Sequence, residues 1–359
     1  MSKESPSPSG PACYPGPYSV LGKKAKTLGL ALQGGGSHGA FTWGVLDKLL
    51  EDGRLEIEAI TATSAGSMNG VVMAYGTALG GYDRAREKLT EFWKKIADAG
   101  SVFGPVKEGM FDEWFGSFGT QASYNFFDNM SRVFSPYQLN PFDFNPLRDV
   151  LEEVVDFDYM RHCNKAISLH INATNVRTGK VRVFHNDELT SDVILASACL
   201  PFLFKAVEIE GEHYWDGGYM GNPSMFPLVY HATCQDVLIV HLNPMYRDEV
   251  PITATDIYNR INEISFNSAL LLELRSIAFV HKLIDEGRLE ATDYRKLHIH
   301  AIKVDNIIRK LSVESKLNTD WDFLCDLRDE GRKAATAWLT EHYDMVGKDS
   351  SVDIAKEYL

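Results

Sequence analysis

Two turns of the same build stand near the start of this chain, and they constrain its fold more than any other feature. An apolar run over residues 28–32 leads into a glycine-rich turn at 34–39 and then a helical apolar stripe over 41–51. A second apolar run over 58–63 leads into Ser64 and a helix of small residues. Strands that alternate with helices through short links form parallel sheets. The sequence therefore predicts an α/β fold.

The same alternation continues along most of the 359 residues. Apolar or alternating runs predict further strands at 166–173, 181–185, 237–242 and 297–302, with a Gly-centred hairpin at 208–215. Periodic apolar positions predict helices at 67–75, 83–97, 145–154, 190–199, 256–285 and 320–343.

Three regions follow from this pattern. Residues 1–26, rich in Ser, Pro, Gly and Lys, are expected to be a flexible N-terminal lead. Residues 27–250 form the main domain, and residues 251–359 a mainly helical C-terminal region packed on it. An irregular insertion at 101–144 is rich in Phe, Tyr and Trp. It is either a packed irregular segment or a cap whose aromatic side chains line an acyl-chain pocket or touch a lipid surface.

Charge narrows the classes of partner. The formal net charge is −13, which is poorly suited to nucleic acid because phosphates favour Lys and Arg patches. The same charge does not attract the chain to anionic membranes. Any transient contact with a membrane or lipid surface is therefore expected to be apolar or to involve neutral head groups. A homo-oligomer, through either long C-terminal helix, stays open as an alternative to intramolecular packing.

Cysteines and leader signals bear on location. The five cysteines are scattered with no C-x-x-C pair, so we expect reduced thiols and neither a disulfide framework nor a zinc site. No basic segment followed by an apolar run marks a Sec signal peptide, and no stretch of about 20 apolar residues could span a bilayer. These observations favour a cytoplasmic location, with export by a non-Sec route left open.

The glycine-rich turn Gly34-Gly35-Gly36-Ser37-His38-Gly39 is typical of an anion cradle. Consecutive glycines let backbone N–H groups crowd around an anion at a helix start. One candidate anion is the pyrophosphate of a dinucleotide, which would make the chain an oxidoreductase. That function needs an acidic residue at the end of the second strand, whereas Glu56 and Glu58 stand before or at the start of the apolar run. The other candidate is the oxyanion of a tetrahedral intermediate.

An oxyanion cradle needs a nucleophile, and Ser64 is placed to supply one. It sits between strand and helix in a run of small residues, as in a nucleophile elbow, although Ala62 replaces the first Gly of G-x-S-x-G. A serine N-cap would look similar. For a base, the late histidines His241, His281, His298 and His300 lie in predicted strands or a helix and are expected to be structural. Asp216, at a strand end before Gly217 and Gly218, is the better candidate for the base, although an Asp-Gly turn is the simpler alternative.

Together these pieces resemble the patatin-like phospholipases, over about residues 27–242. Gly34-Gly35-Gly36 with Gly39 matches the family's oxyanion loop, Ser64 with Gly66 its nucleophile, and Asp216-Gly217-Gly218 its Asp-Gly-Gly element. Residues 196–204 and 207–209 match its Ala-Ser…Pro…Phe segment. Three positions depart from the pattern: Ala62 for Gly, Cys199 for a small residue such as Ala, and Ala206 for Pro.

The resemblance implies a three-layer α/β/α fold with a Ser–Asp dyad and no catalytic histidine. Ser64 would be the nucleophile and Asp216 its base. The oxyanion would lie among Gly34, Gly35, Gly36 and Ala65. No cofactor is expected, and no metal, since no Asp/Glu cluster suits calcium. The chain is thus expected to cleave carboxylic esters of lipids, with a non-catalytic lipid-binding or scaffold protein on the same fold as the alternative.

Overall fold

The computed structural model describes residues 13–14, 25–103, 135–163, 166–290, 295–304 and 313–359. Eight strands form one sheet in the order β5-β6-β3-β2-β1-β7-β8, with β4 paired to β3. The strands are β1 Lys26–Leu32, β2 Leu55–Ala62, β3 Ser168–Asn175, β4 Val181–Phe184, β5 Val207–Ile209, β6 Glu212–Asp216, β7 Asp236–His241 and β8 His298–Lys303.

The centre of the sheet is parallel, as the alternation of strands and helices predicts. β3, β2, β1, β7 and β8 run in one direction. β4 and β6 each pair antiparallel with β3, and β5 pairs antiparallel with β6. Leu32, the last residue of β1, lies opposite Ala62 of β2 and Val240 of β7. The turns that follow these three strands therefore meet at one edge of the sheet, where open α/β folds bind ligands.

Helices cover both faces of the sheet, so the α/β/α layering is confirmed. Leu28, Leu30 and Leu32 of β1 face one core, and Ala31 between them faces the other, as the two-residue period of a strand requires. The helices are α1 Gly39–Asp52, α2 Ala65–Phe103, α3 Pro136–Leu139, α4 Pro146–Val154, α5 Phe157–Cys163, α6 Ser191–Ser197, α7 Phe226–His231, α8 Ala254–Asp285, α9 Trp321–His342 and α10 Ile354–Tyr358.

Local signals place most helix ends to within a few residues. The predicted start of α4 is an Asn followed by Pro, and the Asn145 side chain indeed accepts a hydrogen bond from the N–H of Leu147 (3.2 Å). The helices predicted separately at 67–75 and 83–97 instead belong to one span, α2. A break at Gly80 and Gly81 divides it, with φ of 79° at Gly81. Glycine adopts that backbone conformation without steric cost, so the chain turns there without a loop.

The helical C-terminal region contacts the first helix closely. A Cβ atom at Gly44 of α1 would lie 1.8 Å from the carbonyl oxygen of Arg328, and one at Gly331 of α9 would lie 2.1 Å from that of Phe41. Beside this crossing, Asp47 of α1 pairs with Arg332 of α9. The two helices can approach this closely only because both glycines lack side chains.

Cys13 and Cys163 are joined by a disulfide, with Cα atoms 5.1 Å apart. The expectation of five reduced thiols is therefore wrong for this pair. The two cysteines are 150 residues apart in the sequence, so no local spacing marks them as a pair. Cys199, Cys234 and Cys325 are free. Most of the N-terminal lead and of the aromatic insertion at 101–144 lies outside the described residues. Of the helices in the described ranges, none has both the length and the apolar composition needed to cross a membrane.

Candidate active site

Ser64 occupies a sharp turn between β2 and α2. Its φ is 54°, a left-handed conformation that is uncommon and strained for a residue other than glycine. The turn is packed too tightly for larger neighbours, since a Cβ atom at Gly66 would lie 2.3 Å from the carbonyl oxygen of Leu32. The N–H of Ser64 donates to the hydroxyl of Ser197 (3.0 Å). This geometry is that of a nucleophile elbow.

The glycine-rich turn lies directly against Ser64. A Cβ atom at Gly34 would lie 2.6 Å from that of Ser64, and one at Gly39 would lie 2.7 Å from that of Ala65. Gly36 has φ of 59°. The close approach of the turns after β1 and β2 therefore depends on glycine at these positions.

Backbone hydrogen bonds decide which of the predicted oxyanion donors are free. The N–H of Gly34 donates to Asn222 Oδ1 (2.7 Å), so we remove Gly34 from the proposed donors. The N–H groups of Gly35, Gly36 and Ala65 have no acceptor within the described part of the chain. Gly35 and Gly36 come just before or at the start of a 3₁₀ turn, and Ala65 at the start of a helix, where such N–H groups are left without intrahelical partners.

A buried amide network holds the glycine turn in place. Gln33 is fully buried and accepts hydrogen bonds from the N–H groups of Leu242 (2.9 Å) and Asn243 (3.0 Å). Its Nε2 donates to the carbonyl oxygen of Asn222 (3.0 Å). Asn243 in turn donates from Nδ2 to the carbonyl oxygen of Gly34 (2.8 Å). These three amides belong to none of the sequence motifs, because Gln at a strand end and Asn in a loop look like ordinary polar residues.

Asp216 ends β6 and lies buried, with 1% of its surface exposed. Its Oδ1 accepts from the N–H of Gly218 (2.7 Å). Its Oδ2 makes no hydrogen bond of good geometry with any described residue. A Cβ atom at Gly217 would lie 2.2 Å from the carbonyl oxygen of Asn172, so the Asp-Gly-Gly turn is pressed against β3. The carboxyl group is thus held in place through Oδ1, and Oδ2 is available to accept a proton or a hydrogen bond.

Burial raises the pKa of Asp216 to about 7, because the carboxylate form is poorly solvated there. The N–H of Gly218, the hydroxyl of Ser64 and the charge of Lys316 oppose that rise. The Ser64 hydroxyl is therefore near enough to the Asp216 carboxyl group to affect its pKa, and both side chains line the same cleft. Hydrogen bonds between catalytic groups are often long or poorly aligned before substrate binds.

A cleft of 320 Å³ opens over these groups. Ser64, Asp216 and the three glycines Gly34, Gly35 and Gly36 all line it, so the structure brings together residues from three distant parts of the sequence. Its other walls come largely from the segment 200–203 and from α8. The lining residues there include Leu200, Phe202, Leu203, Tyr258 and Phe266, and Tyr219 lines the cleft from the turn after Asp216.

Histidines take no part in the lining of this cleft among the described residues. His241 is buried, its Nε2 lies 2.7 Å from the hydroxyl of Tyr358, and burial lowers its pKa to about 3. His298 and His300 both contact Asp236. His38, next to the glycines, lies 2.7 Å from Ser315 Oγ, and burial lowers its pKa to about 3.

The open α/β sheet thus carries a strained serine, a buried aspartate and a glycine turn at one edge. The sequence profile of the patatin-like phospholipases matches residues 30–229. The chain therefore belongs to the patatin-like phospholipase family. Membership of this family places it among the lipid hydrolases.

Two solved structures are among those similar to this chain. VipD from Legionella pneumophila is 13% identical, with a TM-score of 0.38, over 86% of this chain and 67% of VipD. The type III effector protein ExoU is 12% identical, with a TM-score of 0.32, over 89% of this chain and 53% of ExoU. The chain thus spans about half the length of ExoU. No curated protein sequence matches it significantly.

Proposed function

We propose that this protein is a serine acyl hydrolase that cleaves carboxylic esters of lipids through a Ser64–Asp216 dyad. The observation that carries the proposal is the meeting of a strained serine and a buried aspartate in one cleft with a glycine turn. The raised pKa of Asp216 supports its role, because a general base works best with a pKa near the working pH.

In the first half of the reaction Asp216 accepts the proton of the Ser64 hydroxyl as Oγ attacks the ester carbonyl. The carbonyl oxygen becomes an oxyanion, and the free N–H groups of Gly35, Gly36 and Ala65 stabilise it. When the tetrahedral intermediate collapses, the C–O bond to the alcohol breaks. Asp216 returns its proton to that alcohol, which leaves an acyl group on Ser64.

In the second half water replaces the alcohol. Asp216 takes a proton from the water as its oxygen attacks the acyl carbonyl, and the same N–H groups hold the second oxyanion. The bond to Ser64 Oγ then breaks and the proton returns to the serine. The products are the free acid and the original enzyme, so every proton is accounted for without a third side chain.

The dinucleotide alternative fits the structure less well. Glu58, one of the two acidic residues near the spacing for a ribose contact, accepts hydrogen bonds from the N–H groups of Thr233 and Cys234. Glu58 lies before the last half of β2 (Leu55–Ala62), away from the edge where the glycine turn lies. The residue at that edge is Ser64, which a hydrolase uses and a dinucleotide does not need.

Exposed apolar side chains near the cleft support contact with a lipid surface. Val250 and Ile252 are 83% and 87% exposed, and Ile257 and Ile261 on α8 are also exposed. Tyr258, between the last two, lines the cleft. Apolar side chains placed in this way would contact acyl chains where the substrate enters.

Hydrolysis of a chromogenic fatty-acyl ester tests the proposal. Ser64→Ala is expected to lower the rate at least about 1000-fold, since loss of the nucleophile removes the covalent route. Ser276→Ala is the matched control, because Ser276 is exposed on α8 and its hydroxyl bonds only within the helix. Equal rates for wild type and Ser64→Ala would overturn the assignment.

A further inference from the structure

Lys316 reaches the candidate active site from the C-terminal region, beyond the matched residues 30–229. It lies on a 3₁₀ turn, Val313–Leu317, that packs on the glycine turn. A Cβ atom at Gly36 would lie 2.4 Å from the carbonyl oxygen of Lys316. The Lys316 ammonium group donates to Asn243 Oδ1 (3.1 Å), and its side chain lines the cleft with Ser64.

The positive charge of Lys316 has no acidic partner in contact among the described residues. Glu263 is the nearby buried carboxylate, and Arg247 and Arg260 already bind it, at 2.5 and 3.0 Å. This corner therefore holds three cations against two carboxyl groups, that of Glu263 and that of Asp216, which is near enough for its charge to act on Lys316. Burial lowers the pKa of Lys316, because an ammonium group is poorly solvated there, and the charges of Glu263 and Asp216 oppose that shift.

An ammonium group with three donors and one protein acceptor can still bind an anion. The cleft also presents the apolar side chains of Leu200, Phe202 and Phe266. A molecule with an acyl chain and a phosphate would satisfy both kinds of lining at once. A neutral ester would bring no anion to the ammonium group.

We propose that Lys316 binds the phosphate of a phosphate-bearing lipid ester and so makes this site prefer anionic over neutral substrates. This inference rests on the proposed function, since it concerns the substrate of the same cleft. Lys316 acts here as a specificity residue, which the turn after β8 supplies to a site otherwise built largely by residues 34–243 and α8.

Calorimetry tests the proposal by measuring how tightly dodecyl phosphate binds to the Ser64→Ala protein. The ligand is kept below its micellar concentration. Adding Lys316→Met to this protein is expected to weaken the binding about 10-fold or more, because the charge-assisted hydrogen bond to the phosphate is lost. Binding of the neutral dodecyl glucoside should stay unchanged. Lys282→Met is the matched control, because Lys282 is exposed on α8. If the Lys316→Met variant does not fold, Lys316→Gln, which keeps a donor for Asn243, should show the same loss of dodecyl phosphate binding.

Three outcomes would overturn the inference. Equal weakening for both amphiphiles would mean that Lys316 only maintains the cleft. Unchanged binding of dodecyl phosphate would mean that it contacts no anion. Inorganic phosphate bound as tightly as dodecyl phosphate would identify a site for the free ion. Because the protein carries Ser64→Ala, none of these results depends on turnover, so failure of the proposed hydrolysis would be seen separately.

Discussion

Removal of the Asp216 charge should stabilise the folded protein while it abolishes activity. Burial raises the pKa of Asp216 from its ordinary value of 3.8 to about 7. Between these two pH values the folded state keeps a proton that the unfolded state has lost, so stability falls as pH rises. A difference of about 3 pH units corresponds to about 4 kcal/mol, at 1.36 kcal/mol per unit. Above about pH 7 both states are ionised and the loss is complete.

Asp216→Asn mimics the protonated side chain in size and can still accept from the N–H of Gly218. Its free energy of unfolding, relative to wild type, should therefore rise with pH by about 1.4 kcal/mol per unit and level off above pH 7. Denaturant unfolding of both proteins at intervals from pH 5 to pH 8 measures this difference.

The control is Asp187→Asn, at an exposed position. A stability difference between wild type and Asp216→Asn that is constant from pH 5 to pH 8 would refute the reasoning. So would a variant that is less stable than wild type at pH 8, because the folded carboxylate would then be well solvated or paired.

Three further results are expected. The kcat/KM of the wild type should rise about tenfold per pH unit up to about pH 7 and then level off, since Asp216 must be ionised to act as a base; a flat profile from pH 5 to pH 8 would argue against it. Gly331→Ala should lower the free energy of unfolding by about 3 kcal/mol, because its Cβ atom would lie 2.1 Å from a backbone oxygen of α1, and unchanged denaturant unfolding would contradict that packing. Ile257→Ser with Ile261→Ser should weaken binding to neutral phosphatidylcholine vesicles, measured by sedimentation, about 100-fold or more, because burial of each side chain is worth about 1.5–3 kcal/mol, and should leave hydrolysis of a short soluble ester unchanged. Equal sedimentation would mean that this face does not touch lipid.

Features with a local cause could be predicted from the sequence. The run at 28–32 falls within β1 because every second residue faces the same core. The hairpin at 208–215 forms through Glu210 and Gly211, whose φ values of 52° and 79° suit a tight turn. An equally local pattern, a strand followed by small residues and a helix, predicts the turn at Ser64.

The surroundings of the site could not be predicted, because they depend on contacts between distant strand ends. Asn222 binds Gly34 across 188 residues, and Asn243 binds the same glycine across 209. Lys316 lies outside any motif, and no periodicity marks a lysine that enters a cleft. Asn243 meets the glycine turn because the parallel sheet brings the ends of β1 and β7 to one edge. Asn222 and Lys316 reach the same edge from the segments that follow β6 and β8.

The central claim is that Ser64 is a nucleophile activated within the folded chain. A fluorophosphonate bearing an alkyl chain, reacted with the native protein and followed by peptide mass mapping, tests that claim directly. The account predicts a single covalent adduct on Ser64, formed slowly or not at all in Asp216→Asn. An adduct on another residue, or none in a protein shown to be folded, would contradict it.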